Sequence, residues 1–203
     1  MYVKYIYMNK EEREDIIANN NTAQEEFVKF LEKLAKPIQR VDVPDTLYGD
    51  IDASVFVEQN LGIPKEIIFK EGKITSIQNI PEGVENFVCV NNLLERLENL
   101  PQSIVTINVE YNYLKEIDVS QLKNLESLNV SNNQIGELGQ LPASLLELKC
   151  TNNSNKLSLS INKISINKEI LNITLKTANR IGYSGENVKN LKHTLISSDI
   201  ISK

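Results

Sequence analysis

A single histidine, His193, supplies the one imidazole in the chain. It stands between Lys192 and Thr194, and no Ser–His–Asp or Cys–His set can be assembled around it, so it reads as a solvated histidine on a helix. Glu95, Glu98 and Glu116 recur in the segments that join the strands described below. Paired carboxylates do acid/base work only where a cleft desolvates one of them, and a convex, solvated face is expected to give none. There is no glycine-rich phosphate loop, no HExxH pair, no CxxC pair and no calcium-loop spacing, while GYSGEN around Tyr183 is too short and lacks the lysine of a Walker motif. The expectation is a non-enzyme without cofactor or metal. Two cysteines, Cys89 and Cys150, remain; they could pair, form half a metal site, or pack as small apolar groups.

The elements that hold them decide. Between Ile67 and Leu157 the chain repeats itself: IIFKEGKITSIQNIPEG, FVCVNNLLERLENLPQS, INVEYNYLKEIDVSQLKN, LNVSNNQIGELGQLPAS and LKCTNNSNKL each open with apolar-x-apolar. The second apolar position is Phe69, Cys89, Val109, Val130 and Cys150, a step of 20 or 21 residues. Three residues on come Gly72, Asn92, Asn112, Asn133 and Asn153, and two beyond those Ile74, Leu94, Leu114 and Ile135. Apolar-x-apolar is the period of a strand with one face buried, so each unit adds a short strand to a parallel sheet. Only about ten residues return the chain to the starting edge, near the lower limit for a crossover, which makes the return extended or 3₁₀ rather than a long helix. The Asn side chains can satisfy backbone groups at the tight turn, and stacked they would form a ladder. Gly72 breaks that ladder and marks its unit as terminal. Cys89 and Cys150 fall in one inward column three units apart, roughly 14 Å at the usual strand spacing, beyond the reach of a disulfide. They are packing residues.

With its LENLPQSIVTINV and LGQLPASLLELKCTNN segments, the chain resembles the LPxSLxxLxCxxN units of the short, bacterial-type leucine-rich repeat family, which is known from effectors and from large DNA viruses of amoebae. The resemblance implies an α/β solenoid with the parallel sheet on its concave face. Some family effectors carry a ubiquitin-ligase domain with a catalytic cysteine; nothing of that size follows the repeats here, and neither cysteine lies outside them.

In that architecture the outward strand residues are directly legible. One column is Ile68, Val88, Asn108, Asn129, Lys149; the next is Lys70, Val90, Glu110, Ser131, Thr151; a third is Glu71, Asn91, Tyr111, Asn132, Asn152. Apolar members gather on the early units, and Ile68, Val88, Val90, Leu93, Tyr111 and Tyr113 are expected to form an exposed patch that binds another protein. The alternative is that the N-terminal segment folds over the same residues as ordinary core.

A solenoid exposes its core at both ends unless something covers it. Residues 1–62 read as an N-terminal helical cap, 63–157 as about five repeats and 158–203 as a mixed strand and helix C-terminal cap. Thr22 and Glu25 form a capping box, followed by Phe27, Phe30, Leu31 and Leu34 at helical spacing before Pro37; a charged helix is expected over Lys10 to Ala18. Over Val41 to Asn60, VDVP and VFV suggest strand while ASVFVEQNL suggests a short helix. Alternation over Leu157, Leu159, Ile161, Ile164, Ile166, Ile173 and Leu175 reads as strands, and Val188, Leu191 and Leu195 as a closing helix.

Across all 203 residues, Lys+Arg 22 against Asp+Glu 27 gives a net charge of −5, which disfavours nucleic acid as a partner. No window reaches the roughly 18 apolar residues of a spanning helix, so no membrane partner is expected, and the start MYVKYIYMNKEERED lacks an apolar h-region. The expected location is cytoplasmic, a host cytoplasm or a virion included. The function expected is noncatalytic protein–protein interaction; the rivals are the substrate-recognition part of a ubiquitin-ligase-type effector and a structural scaffold protein.

Overall fold

The structure, a computed structural model, describes residues 23–34, 36–154, 158 and 159. The helix expected over 10–18, Thr22 of the capping box, the strands expected over 161–175 and the closing helix with His193 lie outside the described residues. The elements are α1 (Ala23–Glu32), β1 (Arg40–Val43), β2 (Tyr48–Asp52), α2 (Val55–Glu58), β3 (Glu66–Lys70), β4 (Lys73–Gln78), β5 (Asn86–Val90), β6 (Thr106–Asn108), β7 (Ser127–Asn129), β8 (Glu137–Leu138), β9 (Glu147–Lys149) and β10 (Ser158–Leu159). Six strands form one parallel sheet in the order β1-β3-β5-β6-β7-β9, while β2 pairs with β4 and β8 with β10 in two small parallel sheets.

Alternation places one side chain in two inside. Phe69, Cys89, Val109, Val130 and Cys150 are all buried, as are Ile67, Phe87, Ile107, Leu128 and Leu148 two residues before them. Ile74, Leu94, Leu114 and Ile135 close the core from the turn. One contiguous apolar cluster therefore runs the length of the stack.

Hydrogen bonds stitch the units along two seams. On the first, the Oδ1 of Asn92, Asn112, Asn133 and Asn153 accepts the backbone N–H of Ile74, Leu94, Leu114 and Ile135 in the preceding unit, at 3.0–3.1 Å. Each Nδ2 donates back to the preceding unit, to the carbonyls of Phe69, Cys89, Val109 and Val130 respectively. The expected ladder thus works by each amide clasping its neighbour's backbone and not by amide stacking on amide, which satisfies donors and acceptors that the tight turn would otherwise leave buried and unpaired. On the second seam, the serine of LPxS does similar work. Ser103 Oγ accepts from Gly83 N and donates to Val84 O, and Ser144 Oγ donates to Leu125 O.

Gly72 has a different cause from the one expected. Its unit is not the end of the sheet, because β1 lies beyond it and pairs Arg40–Val43 with Glu66–Phe69. A Cβ at Gly72 would stand 2.7 Å from Asn92 Oδ1 and 3.7 Å from the Leu47 carbonyl, so the space an amide would need is already filled. The first strand of the sheet accordingly lies inside the 1–62 segment read as a helical cap. VDVP is strand and VFV is helix, in β1 and α2. The β1–β3 crossover contains β2 and α2 and the β3–β5 crossover contains β4, and the Pro81, Pro101 and Pro142 carbonyls accept from Val84, Ile104 and Leu145 at the turns before β5, β6 and β9.

At this end of the sheet α1 packs its apolar stripe inward, with Phe27 and Leu31 fully buried and Phe30 and Leu34 partly so. Phe27 meets Phe56 edge-on and Phe69 tilted, ring centroids 6.0 Å apart in both pairs. The Gln24 amide exchanges two hydrogen bonds with the backbone of Asp52, which fixes the helix against β2.

Candidate functional site

The face of the six-stranded sheet opposite the core is built by the other half of the alternation. Strand register places Asp42, Ile68, Val88, Asn108, Asn129 and Lys149 in one cross-strand row. The first outward column read from the sequence is therefore a row in space, with Asp42 added where β1 joins.

The expected contact residues do not form one accessible patch. Ile68 is 4% exposed and Leu93 1%, so neither presents surface to a partner. Ile68 is flanked by Val88 on one side and, through β1, by Asp42 on the other, with Arg40 bridging Asp42 and Glu66 across the same two strands. Leu93 follows the seam asparagine, and its N–H is tied to Ile74 O in the preceding unit, so it belongs to the turn and not to the strand face. Tyr113 occupies the same turn position one unit later, bonded to Leu94 O, and is half-buried. Val88 and Val90 are half-buried on β5, and Tyr111 is exposed at 36%. Val57 and Leu146, absent from the expected patch, are exposed as well.

Charges on this face are arranged unevenly. At one end Arg40 bonds Asp42 and Glu66 at 2.7 and 2.8 Å, and the guanidinium holds the Asp42 carboxyl below the usual carboxylate range. At the other end Lys149, with Ser127, does the same for Glu147. Between them Glu110 has amides only: Asn129 Nδ2 donates to Oε2 at 3.0 Å and Asn132 Nδ2 to Oε1 at 3.1 Å, and no cation among the described residues reaches it. Asn132 in turn accepts from Asn152 Nδ2 at 2.8 Å. Sequence reading placed Glu110 in an outward column without marking it; the signal was a lone carboxylate in a column of Lys, Val, Ser and Thr.

The turn after each strand carries a second pattern. Glu71, Asn91, Tyr111, Asn132 and Asn152 all have left-handed backbones, with φ of 53, 57, 57, 56 and 52°. Asn tolerates that conformation because its short amide bonds locally; Glu and, still more, the bulky Tyr do not. Tyr111 is thus a strained residue that keeps 36% of its surface exposed, and strained residues cluster at functional positions.

Neither cysteine adds chemistry. Burial pushes the Cys89 thiol well up and the Cys150 thiol up to about 11, so both stay protonated and unreactive inside the core. On the crossover side, Glu98 and Glu116 line an open groove of about 720 Å³ with Arg96, Lys115 and Asp118, a depression the sequence reading did not expect. Both glutamates are nonetheless exposed, so the desolvation that acid/base pairs need is missing. Among the described residues no group of three His, Cys, Asp or Glu side chains is placed to hold a metal.

No family model matches the chain. It is similar to lumican of Bos taurus, 28% identical over 124 residues, and of Mus musculus, 27% identical over 124 residues, in each case over 55% of this chain. The chain spans about a third of the length of these curated relatives (36% and 37%). The likeness supports a leucine-rich repeat protein in general, in agreement with the parallel sheet and its two seams. It does not single out the bacterial-type subfamily. It also corrects the expected location: lumican is a secreted protein of the extracellular matrix, which is not cytoplasmic. No helix among the described residues is long and apolar enough to cross a membrane.

Proposed function

We propose that the chain is a noncatalytic protein-binding module of the short LPxS repeat type, and that its contact surface is the outward, concave face of the six-stranded sheet, centred on Tyr111 and Glu110 with Val88 and Val90 at its margin. The observation that carries this reading is Tyr111. Its backbone geometry is one that Asn adopts at three of the five equivalent turns, so the fold alone does not call for tyrosine there. A large aromatic group kept exposed at a cost in backbone strain is accounted for by contact with something outside the chain, and Tyr is among the residues that dominate protein interfaces. The sheet holds such side chains rigidly, so little conformational entropy is lost on binding.

Site-specific photo-crosslinking tests the assignment. A benzoyl-phenylalanine placed at Tyr111 is expected to give a discrete protein adduct that a control probe at the exposed Lys123 does not give, and Val88→Asp is expected to reduce the Tyr111 adduct without lowering the melting temperature appreciably. Equal adduct patterns from the two probe positions would remove the sheet face as the contact surface.

A further inference from the structure

We infer that the segment docked on this face presents a basic side chain, arginine in preference to lysine, to the carboxylate of Glu110. The inference rests on the docking reading above and adds the chemistry of the partner. A carboxylate has about four acceptor sites on its two oxygens. One on each oxygen is used, by Asn129 and by Asn132. Both donors are themselves held: Asn129 Oδ1 accepts the Ser131 N–H at 3.1 Å, and Asn132 Oδ1 accepts from Asn152. The carboxylate is therefore fixed in orientation before any partner arrives, with a remaining site on each oxygen.

Amides orient a charge but do not neutralise it. Asp42, Glu66 and Glu147 on the same face each have an in-chain cation, and Glu110 has none among the described residues. Its position mid-sheet and half-buried means that a docking partner would desolvate it, which is costly unless the partner brings the opposite charge. A guanidinium matches two fixed carboxylate oxygens with two parallel N–H donors, whereas an ammonium meets them as a point charge. The adjacent exposed Tyr111 supplies aromatic surface of the kind that cations and their alkyl stems favour.

The test selects a random peptide library displayed on phage against the immobilised full chain, then measures the enriched peptides as synthetic probes. The expected peptides carry Arg or Lys. Replacing that Arg by citrulline, its neutral isostere, is expected to weaken binding about 10-fold or more on the wild-type chain and by less than about 2-fold on Glu110→Gln, a coupling that a purely structural role for Glu110 would not produce. The melting temperature of Glu110→Gln reads the structural part separately. Peptides that lose binding to Tyr111→Ala yet carry no basic residue, or whose citrulline penalty is the same on both chains, overturn the inference and leave the docking face standing. If nothing is enriched, or the enriched peptides bind Tyr111→Ala as well as wild type, the docking reading falls and this one with it.

Discussion

Two columns of residues run side by side along the stack, one position apart in sequence, and they obey different rules. The seam column, Asn92, Asn112, Asn133 and Asn153, keeps one residue type because each amide makes bonds to the unit before it, most of them buried. The turn column, Glu71, Asn91, Tyr111, Asn132 and Asn152, keeps one backbone conformation within 5° in φ while its side chains vary. Stacking dictates the first column wherever the turn has room for an amide, which leaves Gly72 as its exception; of the second it demands only tolerance of a left-handed backbone. Variation in the second column is where the chain is free to specify something other than itself.

The largest expected effect comes from breaking the first column. Asn112→Ala removes the acceptor of Leu94 N–H and the donor to the Cys89, Val109 and Glu110 carbonyls. Leaving such groups buried without partners costs about 1–3 kcal/mol each, so a loss of about 3 kcal/mol or more is expected in urea unfolding, with the urea dependence unchanged. A loss below about 1 kcal/mol would mean that water replaces the amide and that the seam does not enforce its residue type.

The second test concerns the exception within that column. Gly72→Asn restores the repeat pattern and, judged by the pattern alone, would stabilise the chain. The geometry gives the opposite sign, because the new Cβ would meet Asn92 Oδ1 at 2.7 Å and displace an amide that serves Ile74 and Phe69. Overpacking of this kind costs typically about 1–3 kcal/mol. Ser103→Ala on the other seam should follow, at about 1 kcal/mol, since it removes a half-buried hydroxyl that links Gly83 N to Val84 O. A thermal melt of each variant beside wild type ranks them.

These differences also explain what could be read from the sequence. The inward columns, the seam asparagines and the LPxS turns recur at equal steps, so their residue types report their environment directly. VDVP suggested a strand, but its place as the first strand of the sheet was hidden because the unit that contains it is not of equal step: between Val43 and Phe69 the chain passes through β2 and α2, and the spacing that reveals the other strands is lost. Missing the pairing of β1 with β3 led to two further errors. Gly72 looked terminal, and Ile68 looked exposed, when a strand carrying Asp42 lies beside it. Burial of an outward residue depends on what stands across from it, which a single column cannot show. Leu93 failed for a related reason: one position past the seam asparagine the chain has left the strand, and alternation no longer says which way a side chain points.

The smallest effect on stability is the one that sharpens the comparison most. Tyr111→Asn gives the third turn of the column the residue already present at three of the other four. A bulky residue in the left-handed region costs about 1 kcal/mol, and Asn relieves most of it, so the variant is expected to match wild type or exceed it by up to about 1 kcal/mol. Binding should move the other way, with peptides selected on the sheet face losing affinity as they do on Tyr111→Ala. Opposite signs in the two measurements are what separates a residue held for a partner from a residue held for the fold. If Tyr111→Asn instead unfolds more easily by about 1 kcal/mol or more, the ring packs productively against its own chain, and the freedom of the turn column stops at that position.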